Sequence, residues 1–128
     1  MSCLVHVVDD DISFCKAIER RLKFAGYEVE THSSAQDLFG RLLDAERPGC
    51  ILLDVQMPGA NGLELQNWLA ERGSILPIIF VTAHTDTLTT VQAMKAGAED
   101  FLTKPVSSEK LIDAIERALV RFDAVYNG

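Results

Sequence analysis

Cysteine is scarce in this 128-residue chain: Cys3, Cys15 and Cys50 are odd in number, far apart, and form no CxxC pair. That excludes a disulfide framework and points to free thiols in a reducing cytoplasm. Cys3 and His6 hint at a metal pair, but they sit in an apparent strand, where odd spacing sends side chains to opposite faces. They read as ordinary sheet residues. Long apolar runs are missing too, and none approaches the ~20 residues of a membrane span. The start, MSCLVHVVDDD, lacks a basic flank and turns acidic too soon for a secretory signal. Basic charge is short: 12 Lys and Arg face 19 Asp and Glu, a net charge of −7. A chain this acidic is a poor direct binder of nucleic acid, whose affinity rests on neutralising phosphates. There is no Ser/His/Asp triad, GxGxxG or Walker loop, and no repeat, low-complexity tract or internal linker. What is present, 48% hydrophobic and 24% charged residues, excludes general disorder. The length is that of one domain able to bury roughly two-thirds of its unfolded surface without disulfides or a structural metal.

Strands and helices alternate strictly. Cys3–Val8 is a short valine-rich strand. Ile12–Ala25 carries Phe14, Ile18 and Leu22 at helical spacing, with Asp11 as N-cap and Gly26 as stop. Tyr27–His32 is a more polar strand, which places it at a sheet edge. Ser34 and Asp37 have capping-box spacing before Leu38, Phe39, Leu42 and Leu43, and Pro48-Gly49 closes that region. Cys50–Leu53 is a fully apolar strand. Asn61 and Gly62 open a helix carrying Leu63, Leu65, Trp68 and Leu69; Ile78–Val81 is a second fully apolar strand. Thr87–Ala96 is helical and closed by Gly97. Asp100–Thr103 is a short strand before Pro105, and Ser107 caps a final helix with Leu111, Ile115, Ala118, Leu119 and Phe122 on one stripe. This pattern predicts an α/β fold: five parallel strands with five helices on both faces. Right-handed crossovers then gather all strand C-terminal ends on one edge, where ligands bind.

The residues ending each strand are therefore the informative ones. They are Asp9-Asp10-Asp11, Asp54, Thr82-Ala83 and Lys104-Pro105. Two unit charges ~4 Å apart interact by about 4 kcal/mol at an effective dielectric of 20. Clustered carboxylates therefore bind protons or a cation, and oxygen ligands with open positions suit Mg²⁺. Asp11 alone is explained by capping, but Asp9, Asp10 and Asp54 together, with Thr82 and Lys104, are not. Phe39 and Trp68 read as packing residues, Met57 and Met94 carry no cofactor signal, and His6 and His32 read as structural.

At these residues the chain resembles the receiver domain of bacterial two-component response regulators. The matching segments are VVDD at 7–10, LLDVQMPGANGLEL at 52–65, IIFVTAH at 78–84 and AMKAGAEDFLTKP at 93–105. Each is weak alone, and together they span the chain in family order. The stretch TAHTDTLTTVQAMKAGAEDFLTKPV is similar to regulators of the nitrogen-fixation and styrene-degradation type, which carry a helix-turn-helix domain after the receiver. The resemblance implies a flavodoxin-like, doubly wound sheet of order 2-1-3-4-5. It implies Asp54 as phosphoacceptor, Asp10 as direct Mg²⁺ ligand, Asp9 acting through water, and the backbone carbonyl of Gln56 as a further ligand. Thr82 would bond the phosphoryl group, Lys104 would pair with it, and a cis Lys104-Pro105 bond would aim Lys104 at the pocket. Thr82 and Phe101 would form the switch, repacking the face of the fourth helix, fifth strand and fifth helix toward dimerisation or partner release. A sensor histidine kinase would be the donor.

Gln56 and His84 depart from the commonest pattern, at positions that in the family influence phosphate lifetime. Three alternatives remain on the sequence. A haloacid-dehalogenase-like phosphatase uses similar residues but needs a second acid where Gln56 stands. A receiver that binds partners without phosphorylation would not need Asp10, Asp54, Thr82 and Lys104 intact. A flavin-binding relative would end its first strand in a phosphate loop instead of three aspartates. The domain is expected to cover residues 1–125, with 126–128 a tail or the start of a linker, cut from a longer DNA-binding regulator. The account fails if Asp10 and Asp54 lie well apart, or if Lys104 points to solvent.

Overall fold

The computed structural model describes residues 3–42, 47–57, 61–83 and 86–127. The strands are β1 (Leu4–Val8), β2 (Glu28–His32), β3 (Gly49–Leu53), β4 (Ile78–Thr82) and β5 (Asp100–Thr103). The helices are α1 (Ile12–Phe24), α2 (Ala35–Leu42), α3 (Gly62–Glu71), α4 (Thr87–Lys95) and α5 (Ser108–Asn127). The strands form one all-parallel sheet of order β2-β1-β3-β4-β5. The polar β2 does lie at an edge, as its composition predicts. Where the boundaries of these elements differ from the sequence reading, most do so by one residue, within the usual fraying of element ends. The last helix differs more: α5 continues through Asn127, past the apolar stripe, because Tyr126 and Asn127 carry no breaker.

The period-2 alternation of the strands sorts the core into two layers. Val5, Val7, Cys50, Leu52, Ile79 and Val81 pack with α1 and α5 through Ile18, Leu22, Leu111 and Ile115. Val8, Ile51, Leu53, Ile78 and Phe80 pack with α2, α3 and α4 through Leu38, Leu65, Leu69 and Ala93. Each fully buried aliphatic or aromatic side chain contributes about 1.5–3 kcal/mol. That is why the apolar stripes, more than helix propensity, fix where the helices sit.

The helix starts are chemically marked. Asp11, Asn61 and Asp86 accept from the backbone N–H three residues on, at 3.1, 2.8 and 2.8 Å. Ser34 accepts from Asp37 N–H at 3.2 Å, but the reciprocal half of a capping box is not formed. The Asp37 carboxylate instead accepts from the Ser33 hydroxyl at 3.0 Å, because an aspartate is too short to reach back to the cap backbone. Gly26 and Gly97 end α1 and α4 at φ values of 95° and 101°, where a side chain would be strained. Phe39 and Trp68 stack at 3.8 Å between ring centroids, and the Arg72 guanidinium lies 4.4 Å from the Trp68 ring. They are packing residues, as the sequence suggests.

Candidate functional site

Four strand ends converge on one rim. Asp9 follows β1, Asp54 follows β3, Thr82 ends β4 and Lys104 follows β5. The crossovers bury these groups: Asp9 is 2% exposed, Asp54 8% and Thr82 1%. The Lys104 ammonium donates to Asp9 Oδ2 at 2.7 Å and to Asp54 Oδ2 at 3.2 Å. The other Asp54 oxygen accepts from the Thr82 hydroxyl at 2.6 Å and from Gln56 N–H at 3.2 Å. Asp9 Oδ1 takes the Asp11 N–H at 2.9 Å. Lys104 therefore faces inward, its ammonium 4.1 Å from the centroid of the Phe14 ring, and the Lys104-Pro105 bond is cis. Lys104 thus does not point to solvent, the placement that would have defeated the sequence reading.

The charges explain the protonation states. Burial pushes the Asp9 carboxyl above its ordinary value. The Lys104 hydrogen bond and the Asp11 N–H pull it back, and the Asp54 charge pushes it up again, for a net rise. Burial by itself would lower Lys104, but its hydrogen bond to Asp9 and the charges of Asp54 and Asp9 outweigh this and hold it above the ordinary lysine value. The ammonium is thus a fixed positive charge between two acids.

The donor set fits a hard divalent cation. Carboxylate oxygens of Asp9, Asp10 and Asp54 lie within 4.8 Å of one another. Asp10 is exposed, and it lines an open depression with Gln56, Met57 and Asn61. Oxygen donors beside a solvent-filled opening match a cation that keeps several waters, as Mg²⁺ does. Comparison with known proteins adds the decisive observation: residues 5–116 match the family described as the response regulator receiver domain. The chain belongs to the response regulator receiver domain family.

The receiver domain is 43% identical over 118 residues to the transcriptional regulatory protein TdiR of Thauera aromatica, covering 90% of this chain and 50% of that protein. It is 40% identical over 116 residues to the response regulator protein TodT of Pseudomonas putida, covering 91% of this chain and 51% of TodT. The chain thus spans about half the length of the curated relatives it matches. Among solved structures, the response regulator StyR superposes with a TM-score of 0.86 at 42% identity, covering 99% of this chain and 64% of that one. The structure named FixJ-N gives the same TM-score at 36% identity, covering 94% of this chain and 95% of that one. No helix among the described residues is long and apolar enough to cross a membrane.

Other positions singled out in the sequence fall around this rim. Phe101 on β5 is half-buried, its ring 5.7 Å from that of Phe80. Gln56 is exposed beside Asp54. His84 lies outside the described residues, as does Leu43. Sequence reasoning missed three contributors. Phe14 reads as a core position at helical spacing, yet its ring supports Lys104. Gln66, buried on α3, donates to the Ala93 carbonyl at 2.9 Å and ties α3 to α4; a polar residue on an otherwise apolar face was the available signal. Gly62 is the third: a Cβ there would lie 2.5 Å from the Asp54 carbonyl oxygen and 2.9 Å from Phe80 Cε1. Its only visible sign was a glycine opening a helix.

Proposed function

We propose that this receiver domain is a phosphorylation-activated switch that accepts a phosphoryl group on Asp54 from a phosphohistidine of a sensor histidine kinase. One Asp54 oxygen attacks phosphorus, the P–N bond breaks as the O–P bond forms, and the donor imidazole leaves with a proton. Little other chemistry is required of the protein beyond positioning and charge compensation. The observation that carries the reading is the Lys104 ammonium, held between Asp9 and Asp54 while the Thr82 hydroxyl sits on the other Asp54 oxygen.

Asp10, Asp54 and the Gln56 carbonyl would hold Mg²⁺ directly, with Asp9 acting through water. When bound, the ion offsets charge on the phosphoryl oxygens. Lys104 would pair with one of those oxygens. Thr82 already donates to Asp54, so it needs only to pass its hydrogen bond from carboxylate to phosphoryl oxygen. Phe101 packs against Phe80 beside it and moves into space that Thr82 leaves. The new group brings up to about two negative charges to the rim. Driving a two-state element from 1:99 to 99:1 takes about 5.5 kcal/mol, which a few charge-assisted hydrogen bonds supply.

The responding surface is α4-β5-α5, where phosphorylation drives homodimerisation or frees a downstream transcriptional output domain. Residues 1–125 form the receiver and 126–128 lead toward that domain. The chain catalyses only formation and hydrolysis of its own acyl phosphate, in the cytoplasm. Gln56 and His84 set the hydrolysis rate, so exchanging both changes the dephosphorylation rate constant, measured by loss of the phosphorylated mass with time; an unchanged constant removes that role. The central test is incubation with Mg²⁺ and acetyl phosphate, followed by intact mass and Trp68 fluorescence. A single phosphate absent from Asp54→Asn is the expected result. Labelling that survives in Asp54→Asn, or turnover of many phosphoesters, overturns it.

A further inference from the structure

We infer that His6, Glu30 and His32 form a second metal site, separate from the acidic rim and selective for a borderline divalent transition ion of the Zn²⁺ class. The parallel pairing of β1 with β2 aligns His6 with Glu30 and Val8 with His32. Glu30 and His32 are two apart on one strand, so all three side chains lie on the same face of the sheet, the one that also carries Val8 toward α2. The two histidines are 5% and 3% exposed. Their rings stack at 5.3 Å between centroids, with His6 Nδ1 3.1 Å from His32 Nε2. Glu30 Oε1 lies 3.5 Å from that same His32 nitrogen, and the three ligand atoms are all within 4.8 Å of one another.

Two of the three separations match a common ion, and the third is within 4.8 Å. Zn–N and Zn–O bonds of about 2.0–2.2 Å in a tetrahedral set put neighbouring ligand atoms about 3.3–3.5 Å apart, against 3.1 and 3.5 Å here. Two imidazoles and one carboxylate leave a fourth position for water. Imidazole donors favour Zn²⁺, Ni²⁺ or Co²⁺ over Mg²⁺, so the two sites divide hard and borderline ions between them.

The hydrogen bonding without a metal is incomplete, which is the second argument. Glu30 Oε1 is shut off from solvent and has no hydrogen-bond partner among the described residues. With neutral histidines, one proton is shared across the His6–His32 contact. If His6 donates it, His32 Nε2 is the acceptor and has no proton to offer the Glu30 oxygen; if His32 donates it, its one Nε2 proton goes to His6 and that oxygen again receives nothing. An imidazolium would resolve this only by holding a charge on rings that are nearly shut off from water. Arg41 approaches it, with Nε 3.7 Å from Glu30 Oε1, but on a side chain 69% exposed. A cation at the centre of the three atoms satisfies all of them at once. Cys3, the sequence's other soft ligand near His6, precedes β1 at the parity of Val5 and Val7, whose side chains line the opposite layer, and it does not join this cluster.

The test uses the full chain, stripped with chelator, refilled with saturating Mg²⁺ and titrated with ZnCl₂ by calorimetry. Bound zinc is counted after desalting. One tight equivalent is expected in the wild type, in Asp54→Asn and in Cys3→Ser. Zn²⁺ affinity is expected to fall by roughly 100-fold or more in Glu30→Gln and in His32→Gln, since loss of even an outer-shell partner costs 10–100-fold. Circular dichroism checks that each variant is folded; if His32→Gln is not, the half-exposed Glu30→Gln decides. Co²⁺ in place of zinc is expected to give d–d absorption without a thiolate charge-transfer band. The inference is overturned if wild type takes up no Zn²⁺, if Glu30→Gln binds as tightly as wild type, or if Asp54→Asn or Cys3→Ser abolishes binding.

Discussion

Replacing Lys104 by Met removes the ammonium and leaves an apolar stem to lie over Phe14. At 2.7 and 3.2 Å, the attractions to Asp9 and Asp54 are worth about 6 and 5 kcal/mol gross at an effective dielectric of 20. Desolvation of an ammonium only 18% exposed offsets much of that. The net loss follows the rule for stranding a buried charge, about 3–5 kcal/mol, because Asp9 then faces Asp54 with no counter-charge. In chelator, with a urea slope of about 1–3 kcal/mol/M, Lys104→Met is expected to unfold about 1–5 M earlier than wild type. Mg²⁺ supplies the missing charge. At a hundredfold excess over its dissociation constant it stabilises by about 2.7 kcal/mol, and more in the variant than in wild type, where Lys104 already compensates Asp9. The gap between the two midpoints is therefore expected to close by at least half on adding Mg²⁺, while labelling by acetyl phosphate stays low. Equal midpoints in chelator, or a gap that Mg²⁺ leaves unchanged, would refute the assignment of Lys104 as the counter-charge of the rim.

Other positions give independent checks. Gly62→Ala is expected to cost about 1–3 kcal/mol, because its Cβ meets the Asp54 carbonyl oxygen at 2.5 Å; it should also slow phosphate loading, and a wild-type urea midpoint contradicts this. Burial sets His6 near 4 in the folded chain against about 6.5 unfolded. The unfolded state then takes up the proton first, and stability present above pH 6.5 is lost as pH falls toward 4, by up to about 3 kcal/mol. Urea midpoints measured in chelator should show that slope, and His6→Gln should flatten it; a wild type with no slope disproves the burial argument. Burial raises Cys15 to about 11 and Cys50 to about 12, so iodoacetamide at pH 8 should add one adduct to the native chain, on Cys3. Two fast adducts would show that one of the buried thiols is open.

The strands were legible because parallel strands buried on both faces leave unbroken apolar runs, as at 51–53 and 78–81. The rim followed from topology: once all strands run one way, Asp9, Asp54, Thr82 and Lys104 have one edge to share. Pairwise register was not legible. Nothing in the spacing of His6, Glu30 and His32 tells that the first lies opposite the second, so they read as unrelated sheet residues. Local periodicity likewise placed Phe14 in the core, and only the fold brings the ammonium onto its ring. The Ser34–Asp37 spacing signalled a helix start correctly, yet side-chain length sent the aspartate to Ser33 instead.

The Lys104 contacts to Asp9 and Asp54 span 95 and 50 positions of the chain. No fragment holds even a diluted form of the site, because each participant comes from a different strand. On the proposed function, a polypeptide still emerging from the ribosome cannot take up phosphate until β5 has been made and docked. Loading on Asp54 would then begin only when the sheet has closed its last pairing, so the chemistry itself would inspect the fold.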